Sequence, residues 1–209
     1  MTVAIQIVPG VTYYPGWLPV EGQRQLLQKL EEILVAAPLF QPTMPRTGKP
    51  FSVQMSNCGS LGWVSDRQGG YRYQATHPQT GAPWPEMPKI LQTAWTDLAH
   101  YAPGPQACLI NYYKDTARMG LHQDRDEADF DAPVLSLSLG DTGLFRIGGQ
   151  ERSDKTKSLK LQSGDVLVFG GPARLAFHGI DRIMPGTSTL LPNGGRINLT
   201  LRRVDAPPA

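Results

Sequence analysis

The chain has 209 residues, 40% hydrophobic and 18% charged, the balance of a globular domain with one sizeable core. Its 22 Gly and 19 Pro make it loop-rich without reaching low complexity, and a net charge of +2 confines any nucleic-acid contact to local patches. No apolar run approaches the ~20 residues of a membrane helix, the start has no signal-peptide character, and two cysteines make neither a disulfide framework nor a zinc motif. The expectation is a cytoplasmic monomer with no membrane partner.

Leu26, Leu27, Leu30, Ile33 and Leu34 recur at helical spacing and predict a helix over about 20–36, stopped by Pro38. Pro38, Pro42, Pro45 and Pro50 make 38–50 a loop. Short strands and turns are predicted over 51–75, where Trp63, Tyr71 and Tyr73 stand among glycines. A second helix is predicted over about 86–101, with Pro88 in its first turn and Ile90, Leu91, Ala94, Trp95 and Leu98 on one face. From 105 onward the pattern is β. Residues 107–113 are apolar up to Asn111-Tyr112-Tyr113, and Leu135, Leu137 and Leu139 alternate with Ser136 and Ser138. Further strands are predicted at 143–148, 158–162, 165–170, 173–178 and 196–203. The expected class is α+β: two helices buttress a sandwich or barrel, with a less regular N-terminal region against it.

Leu121-His122-Gln123-Asp124 sets an imidazole and a carboxylate two residues apart, on one face of an extended chain. On its own such a triplet is weak, since a surface loop explains most of them. His100 closes the second helix and favours its dipole, and His77 sits in a turn expected to be solvated. His178 ends the strand predicted for 173–178, at a sheet edge or cavity mouth. Two His and one carboxylate are the facial triad of non-haem iron(II) oxygenases. No fourth ligand is found, which favours an open catalytic site over a closed structural one.

In Arg196-Ile197-Asn198-Leu199-Thr200-Leu201-Arg202 the polar residues share a face. That face is either the wet side of a half-exposed strand or a cavity wall offering two guanidiniums to a dianion such as 2-oxoglutarate. Arg46, Lys49, Arg67 and Arg72 oppose Asp66 within 44–73, and Arg146, Arg152, Lys155, Lys157 and Lys160 oppose Glu151 and Asp154 within 146–160. Such runs are usually solvated faces, but arginines interleaved with aromatics also suit single-stranded nucleic acid. The acidic stretch 124–131 would repel phosphate unless it turns inward or binds metal.

His122-x-Asp124, 53 intervening residues, His178, and then Arg-x-Asn-x-Thr-x-Arg at 196–202 together resemble the AlkB family of iron(II)/2-oxoglutarate dioxygenases. The resemblance continues through Asn57-Cys58-Gly59-x-Leu61-Gly62-Trp63, Arg67-Gln68-Gly69, Pro83-Trp84-Pro85, Ala107-Cys108-Leu109-Ile110-Asn111-x-Tyr113 and Val134-x-Ser136-x-Ser138-Leu139-Gly140, over roughly 50–203. It implies a double-stranded β-helix (jelly roll) core at 106–209. Residues 1–105 would supply an extension, helices and a nucleotide-recognition lid at about 45–85, in one compact unit. It further implies Fe(II), 2-oxoglutarate as cosubstrate, and oxidative dealkylation of 1-methyladenine and 3-methylcytosine. Formaldehyde, succinate and CO2 are released, a direct reversal of alkylation damage in single- or double-stranded DNA, with RNA left open.

The resemblance also implies roles. His122, Asp124 and His178 match the iron ligands. Arg196 matches an arginine near the iron-side carboxylate of 2-oxoglutarate, and Arg202 the clamp on its distal carboxylate. Asn111, Tyr113 and Asn198 complete the cosubstrate wall. Trp63 and Tyr71 match lid aromatics near a flipped base, Met55 a pocket-lining residue, Asp126 a carboxylate beside the pocket and Arg152 a basic residue at its rim. The sequence departs from the family pattern at Gly70, which lengthens the lid turn by one residue and leaves Tyr71 and Tyr73 as alternatives. Phe169 replaces a bulkier tryptophan. A 2-oxoglutarate dioxygenase of proteins or small molecules would share the triad and both arginines, but has no need of the lid aromatics.

Overall fold

The computed structural model describes residues 3–114 and 116–207. In chain order its elements are β1 Ile5–Val8, β2 Val11–Tyr14, α1 Val20–Ala36, β3 Gln54–Gly59, β4 Gly62–Asp66, β5 Gly70–Gln74, α2 Lys89–Leu98, β6 Ala107–Tyr113, β7 Met119–His122, β8 Val134–Gly140, β9 Thr142–Ile147, β10 Lys157–Leu161, β11 Val166–Phe169, β12 His178–Met184 and β13 Arg196–Arg202. The strands form a seven-stranded sheet in the order β1-β2-β11-β8-β13-β6-β3, a four-stranded sheet β10-β9-β12-β7, and a separate β4–β5 hairpin. This is the jelly-roll architecture expected. No helix among the described residues is long and apolar enough to cross a membrane.

Alternation along the central strands sets the layers. Leu135, Leu137 and Leu139 of β8 and Ile197, Leu199 and Leu201 of β13 pack on one side with Leu26, Leu30 and Ile33 of α1 and Leu91, Ala94 and Trp95 of α2. The opposite face of the same strands carries Ser136, Ser138, Arg196, Asn198, Thr200 and Arg202, all buried. That face looks toward the smaller sheet, whose Phe145, Ile147, Leu161 and Ile180 join Met55, Leu109, Tyr113 and Phe169 in an inter-sheet core. The polar face of β13 is therefore buried between the sheets, not a wet exterior.

Several sequence expectations are revised. α2 is shorter than 86–101, because Pro88 is extended at its N-cap (ψ 139°) and His100 adopts φ +50° just past its end. The strand predicted at 173–178 is instead a 3-10 turn at Gly171–Ala173 followed by irregular chain, so His178 begins a strand rather than ending one. Gly171 at φ +52° and Pro172, which has no N–H, prevent an extended ladder there. The N-terminal region is more regular than expected: β1 and β2 form a hairpin on the edge of the larger sheet. Its turn requires Gly10, at φ +82°, because a Cβ there would fall 2.4 Å from the Gly170 carbonyl. His77 is not solvated. It is 1% exposed, edge-on to Phe40 and Trp84, with Nε2 bonded to the Pro38 carbonyl.

Candidate active site

His122 closes β7 and His178 opens β12, and the two are direct cross-strand partners with ring centroids 4.5 Å apart. Asp124 lies two residues past β7, where the chain has left the sheet. Its Oδ1 is 3.5 Å from His122 Nε2 and its Oδ2 3.7 Å from His178 Nε2. One ligand atom from each residue falls within 4.8 Å of the others. Each imidazole is oriented by its own backbone. Nδ1 of His122 lies 2.9 Å from the Gly120 carbonyl and Nδ1 of His178 lies 3.0 Å from that of Ala176. A carbonyl only accepts, so Nδ1 carries the proton and both Nε2 lone pairs face Asp124.

The electrostatics suit a cation. Burial lowers the His178 pKa to about 4, against the opposing pull of Asp124, so the ring is neutral at pH 7. Burial pushes the Asp124 carboxyl up, but Arg202 and the two imidazoles outweigh it and hold the pKa at about 2. Asp124 Oδ2 is buried without a hydrogen-bond partner. A buried, ionised, unpartnered oxygen facing two imidazole Nε2 atoms is the donor set of a divalent metal with open positions, and fits Fe(II).

The arginines sit differently from one another. Arg202 donates to Asp124 Oδ1 at 2.7 Å, and to Glu127 Oε1 and the Tyr73 hydroxyl at 3.0 Å each. Both its Nη atoms are thereby held at the metal-ligand end of the site, and its Nε is unpartnered. Arg196 is 0% exposed and donates only from Nη2, to Ser138 Oγ at 3.0 Å, while its Nε and Nη1 are unpartnered. Its guanidinium lies 5.4 Å from the Tyr113 ring centroid. Gly143 of β9 makes room for it, since a Cβ there would fall 2.8 Å from Nε. Burial pushes the Tyr113 hydroxyl up to about 12, with Arg196 opposing and Asp124 adding to the rise. Asn111 Oδ1 is also buried without a partner, whereas Asn198 is held by Ser136 and Thr200. A fully buried guanidinium with two unpartnered nitrogens fits a carboxylate of 2-oxoglutarate.

Trp63 and Tyr71 stack at 5.6 Å and 20° on the β4–β5 hairpin. Trp63 is 9% exposed and donates from Nε1 to Asp126 at 2.8 Å, whereas Tyr71 is 50% exposed. Tyr73 is directed into the carboxylate–arginine cluster, which leaves Tyr71 as the outer aromatic. Arg152 lies at the surface, donating to the Leu121 carbonyl with its guanidinium 5.5 Å from Phe177. Met55 is buried in the inter-sheet core opposite Asn111. Of the acidic stretch, Asp124, Glu127 and Asp129 turn inward and are buried, while Asp126 and Asp131 are exposed. Sequence reasoning missed Arg174, which donates to the Asp124 and Ala132 carbonyls and pairs with Glu127 at 3.1 Å. The available signal was a charge inside the apolar run 166–177. A groove of about 990 Å³ between α2 and the turns at 59–60 and 104–105 contains none of these site residues.

The family model of the 2OG-Fe(II) oxygenase superfamily matches residues 10–202. An alpha-ketoglutarate-dependent dioxygenase AlkB homolog of Caulobacter vibrioides is 56% identical over 199 residues, covering 95% of this chain and 90% of the relative. The alpha-ketoglutarate-dependent dioxygenase AlkB of Escherichia coli is 43% identical over 183 residues, covering 86% and 83%. The solved structure of OsALKBH1 superposes with a TM-score of 0.81 at 30% identity, covering 96% of this chain and all of that one. With the His122–Asp124–His178 triad and the part-unpartnered Arg196, these likenesses agree on one assignment: the chain belongs to the 2OG-Fe(II) oxygenase superfamily, and within it to the AlkB family of alpha-ketoglutarate-dependent dioxygenases.

Proposed function

We propose that this dioxygenase removes small alkyl groups from ring nitrogens of nucleobases, 1-methyladenine and 3-methylcytosine first among them, in DNA and RNA, as a cytoplasmic monomer. The observation that carries the substrate class is the hairpin. Trp63 and Tyr71 form an aromatic pair, and the Asp126 carboxylate accepts a hydrogen bond from the Trp63 indole at its edge. An aromatic face returns ~1–3 kcal/mol per stacked base, and a carboxylate beside it favours a base made cationic by alkylation. A dioxygenase of protein or small-molecule substrates would not need such a platform.

His122, Asp124 and His178 would hold Fe(II) through two Nε2 atoms and the Asp124 carboxylate. Arg196 would take the distal carboxylate of 2-oxoglutarate on its free Nε and Nη1, with Tyr113 and Asn111 along the cosubstrate's length. This reverses the roles expected for the two arginines, because Arg202 spends both Nη atoms on Asp124, Glu127 and Tyr73 and keeps only Nε open. When bound, Fe(II) and 2-oxoglutarate supply the oxidation: dioxygen is consumed, the cosubstrate is decarboxylated to succinate and CO2, and the hydroxylated alkyl carbon leaves nitrogen as formaldehyde. The hairpin orients the base, Asp126 fixes the Trp63 plane, and Arg152 lies at the surface for a flanking phosphate. The alkylated edge is hidden in a duplex, so the base must be extruded or already single-stranded.

The test is a panel of modified oligonucleotides assayed by mass spectrometry with iron, 2-oxoglutarate and ascorbate. Formaldehyde release from 1-methyladenine and 3-methylcytosine strands supports the reading. Turnover of 2-oxoglutarate that ignores every alkylated strand contradicts it.

A further inference from the structure

The β4–β5 hairpin is a sheet of its own, yet it is bonded to the metal-ligand loop at two points. Trp63 and Tyr73 are direct cross-strand partners, and Tyr71 lies two residues from Tyr73, so all three share one face of the hairpin. From that face the Trp63 indole donates to Asp126, and the Tyr73 hydroxyl donates to Glu127 Oε1 while accepting from Arg202 Nη1 at 3.0 Å. Arg202 holds Asp124 Oδ1 at 2.7 Å. Glu127 binds Arg202 at 3.0 Å and Arg174 at 3.1 Å, and Arg174 donates to the Asp124 backbone carbonyl at 2.7 Å. Side chains of Asp124, Glu127, Arg174 and Arg202 are 3%, 0%, 3% and 8% exposed. Two carboxylates and two guanidiniums thus neutralise one another, and charge-assisted bonds of this kind fix orientation when buried. Holding a metal at three ligands does not in itself call for Tyr73, Glu127 or Arg174.

We propose that Tyr73 is a positioning residue that joins the hairpin to the metal ligand Asp124 through Glu127 and Arg202. Loading the metal stiffens the hairpin, and seating a base on the hairpin fixes the Asp124 carboxylate, since coupling between two sites is reciprocal. The proposal rests on reading the triad as the metal site and the hairpin as the base platform.

The test is amide hydrogen exchange with saturating Mn(II) and 2-oxoglutarate and no nucleic acid, on the full chain. Loading is expected to slow exchange across residues 62–74 of the wild type about tenfold, the effect of one bond to a charged partner. In Tyr73→Phe that slowing is lost, while Mn(II) still binds and β6 and β13 stay protected. Glu127→Gln, which keeps the shape but removes the charge, loses the slowing and weakens Mn(II) binding. Tyr13→Phe removes a similar tyrosine–carboxylate bond, to Asp165, and keeps the wild-type response. A Tyr73→Phe hairpin that responds like wild type overturns the proposal. So does a wild-type hairpin indifferent to bound Mn(II). The readout needs no substrate, so oligonucleotides left unrepaired would sink the functional reading without touching this result.

Discussion

Arg196 and Arg202 occupy the same face of one strand, and only their partners separate them. Arg202 is surrounded by Asp124, Glu127 and Tyr73, whereas Arg196 keeps two donors free. Lysine at 196 keeps the charge but loses the planar fork. Arg196→Lys is therefore expected to raise the apparent KM for 2-oxoglutarate about tenfold or more, leaving Mn(II) affinity within about twofold, as read by steady-state kinetics and metal titration. Unchanged cosubstrate dependence would remove Arg196 from that role. Arg202→Met leaves two buried carboxylates short of a partner and should cost about 3–5 kcal/mol in denaturant unfolding. His178 adds a pH signature to the metal-free protein. Its folded pKa of about 4 lies below the unfolded value of 6.5, so the unfolded chain binds more protons in between. Stability is fully present above 6.5 and falls as the pH drops toward 4. Melting temperatures of the metal-free chain should decline over that window, and less steeply in His178→Gln. The triad residues and both arginines were legible in the sequence because metal and carboxylate chemistry restrict residue types. Which arginine does what was not, because that depends on neighbours distant in the chain.

Elements with a single strong periodicity were read well. α1 follows from the spacing of Leu26, Leu30 and Ile33, and β8 and β13 from their alternation of apolar and polar residues. The β1–β2 hairpin was missed although Pro9-Gly10 separates two β-rich runs, a turn signal that four-residue strands leave without length to support it. The 173–178 strand failed because Arg174 turns inward to hold Asp124, Ala132 and Glu127, a contact no local pattern encodes. In the hairpin the structure separates two aromatics that the sequence treats alike. Trp63 is core as well as proposed platform, so Trp63→Ala should lose about 3–5 kcal/mol of stability together with activity. Tyr71 is half exposed, so Tyr71→Ala should melt within a degree or so of wild type yet repair a methylated strand about tenfold more slowly. A Tyr71→Ala enzyme with wild-type repair and undiminished affinity for the strand would take that residue off the platform.

A net charge of +2 gives the whole protein little long-range attraction for a polyanion. Three of the five acids in the stretch that threatened to repel phosphate are folded inward, Asp124 and Glu127 at the metal end of the site, while Asp126 and Asp131 stay exposed. The sheets divide the labour: β13 and β6 supply the arginine and amide wall, β7 and β12 the two imidazoles, and the hairpin the proposed stacking face. The site therefore exists only when both sheets are in place, which is why its residues are dispersed from 63 to 202 in the chain. The most direct measurement is product stoichiometry on a single-stranded 1-methyladenine oligonucleotide, for wild type and His122→Ala. His122 is the most exposed of the three ligands, with 39% of its side chain open, so its removal should leave the melting temperature near that of wild type. The wild type should release formaldehyde and repaired adenine in equal amounts, matched by succinate, only with iron and 2-oxoglutarate both present, and His122→Ala should release none. Repair that persists in His122→Ala, or without 2-oxoglutarate, would contradict the assignment of this site.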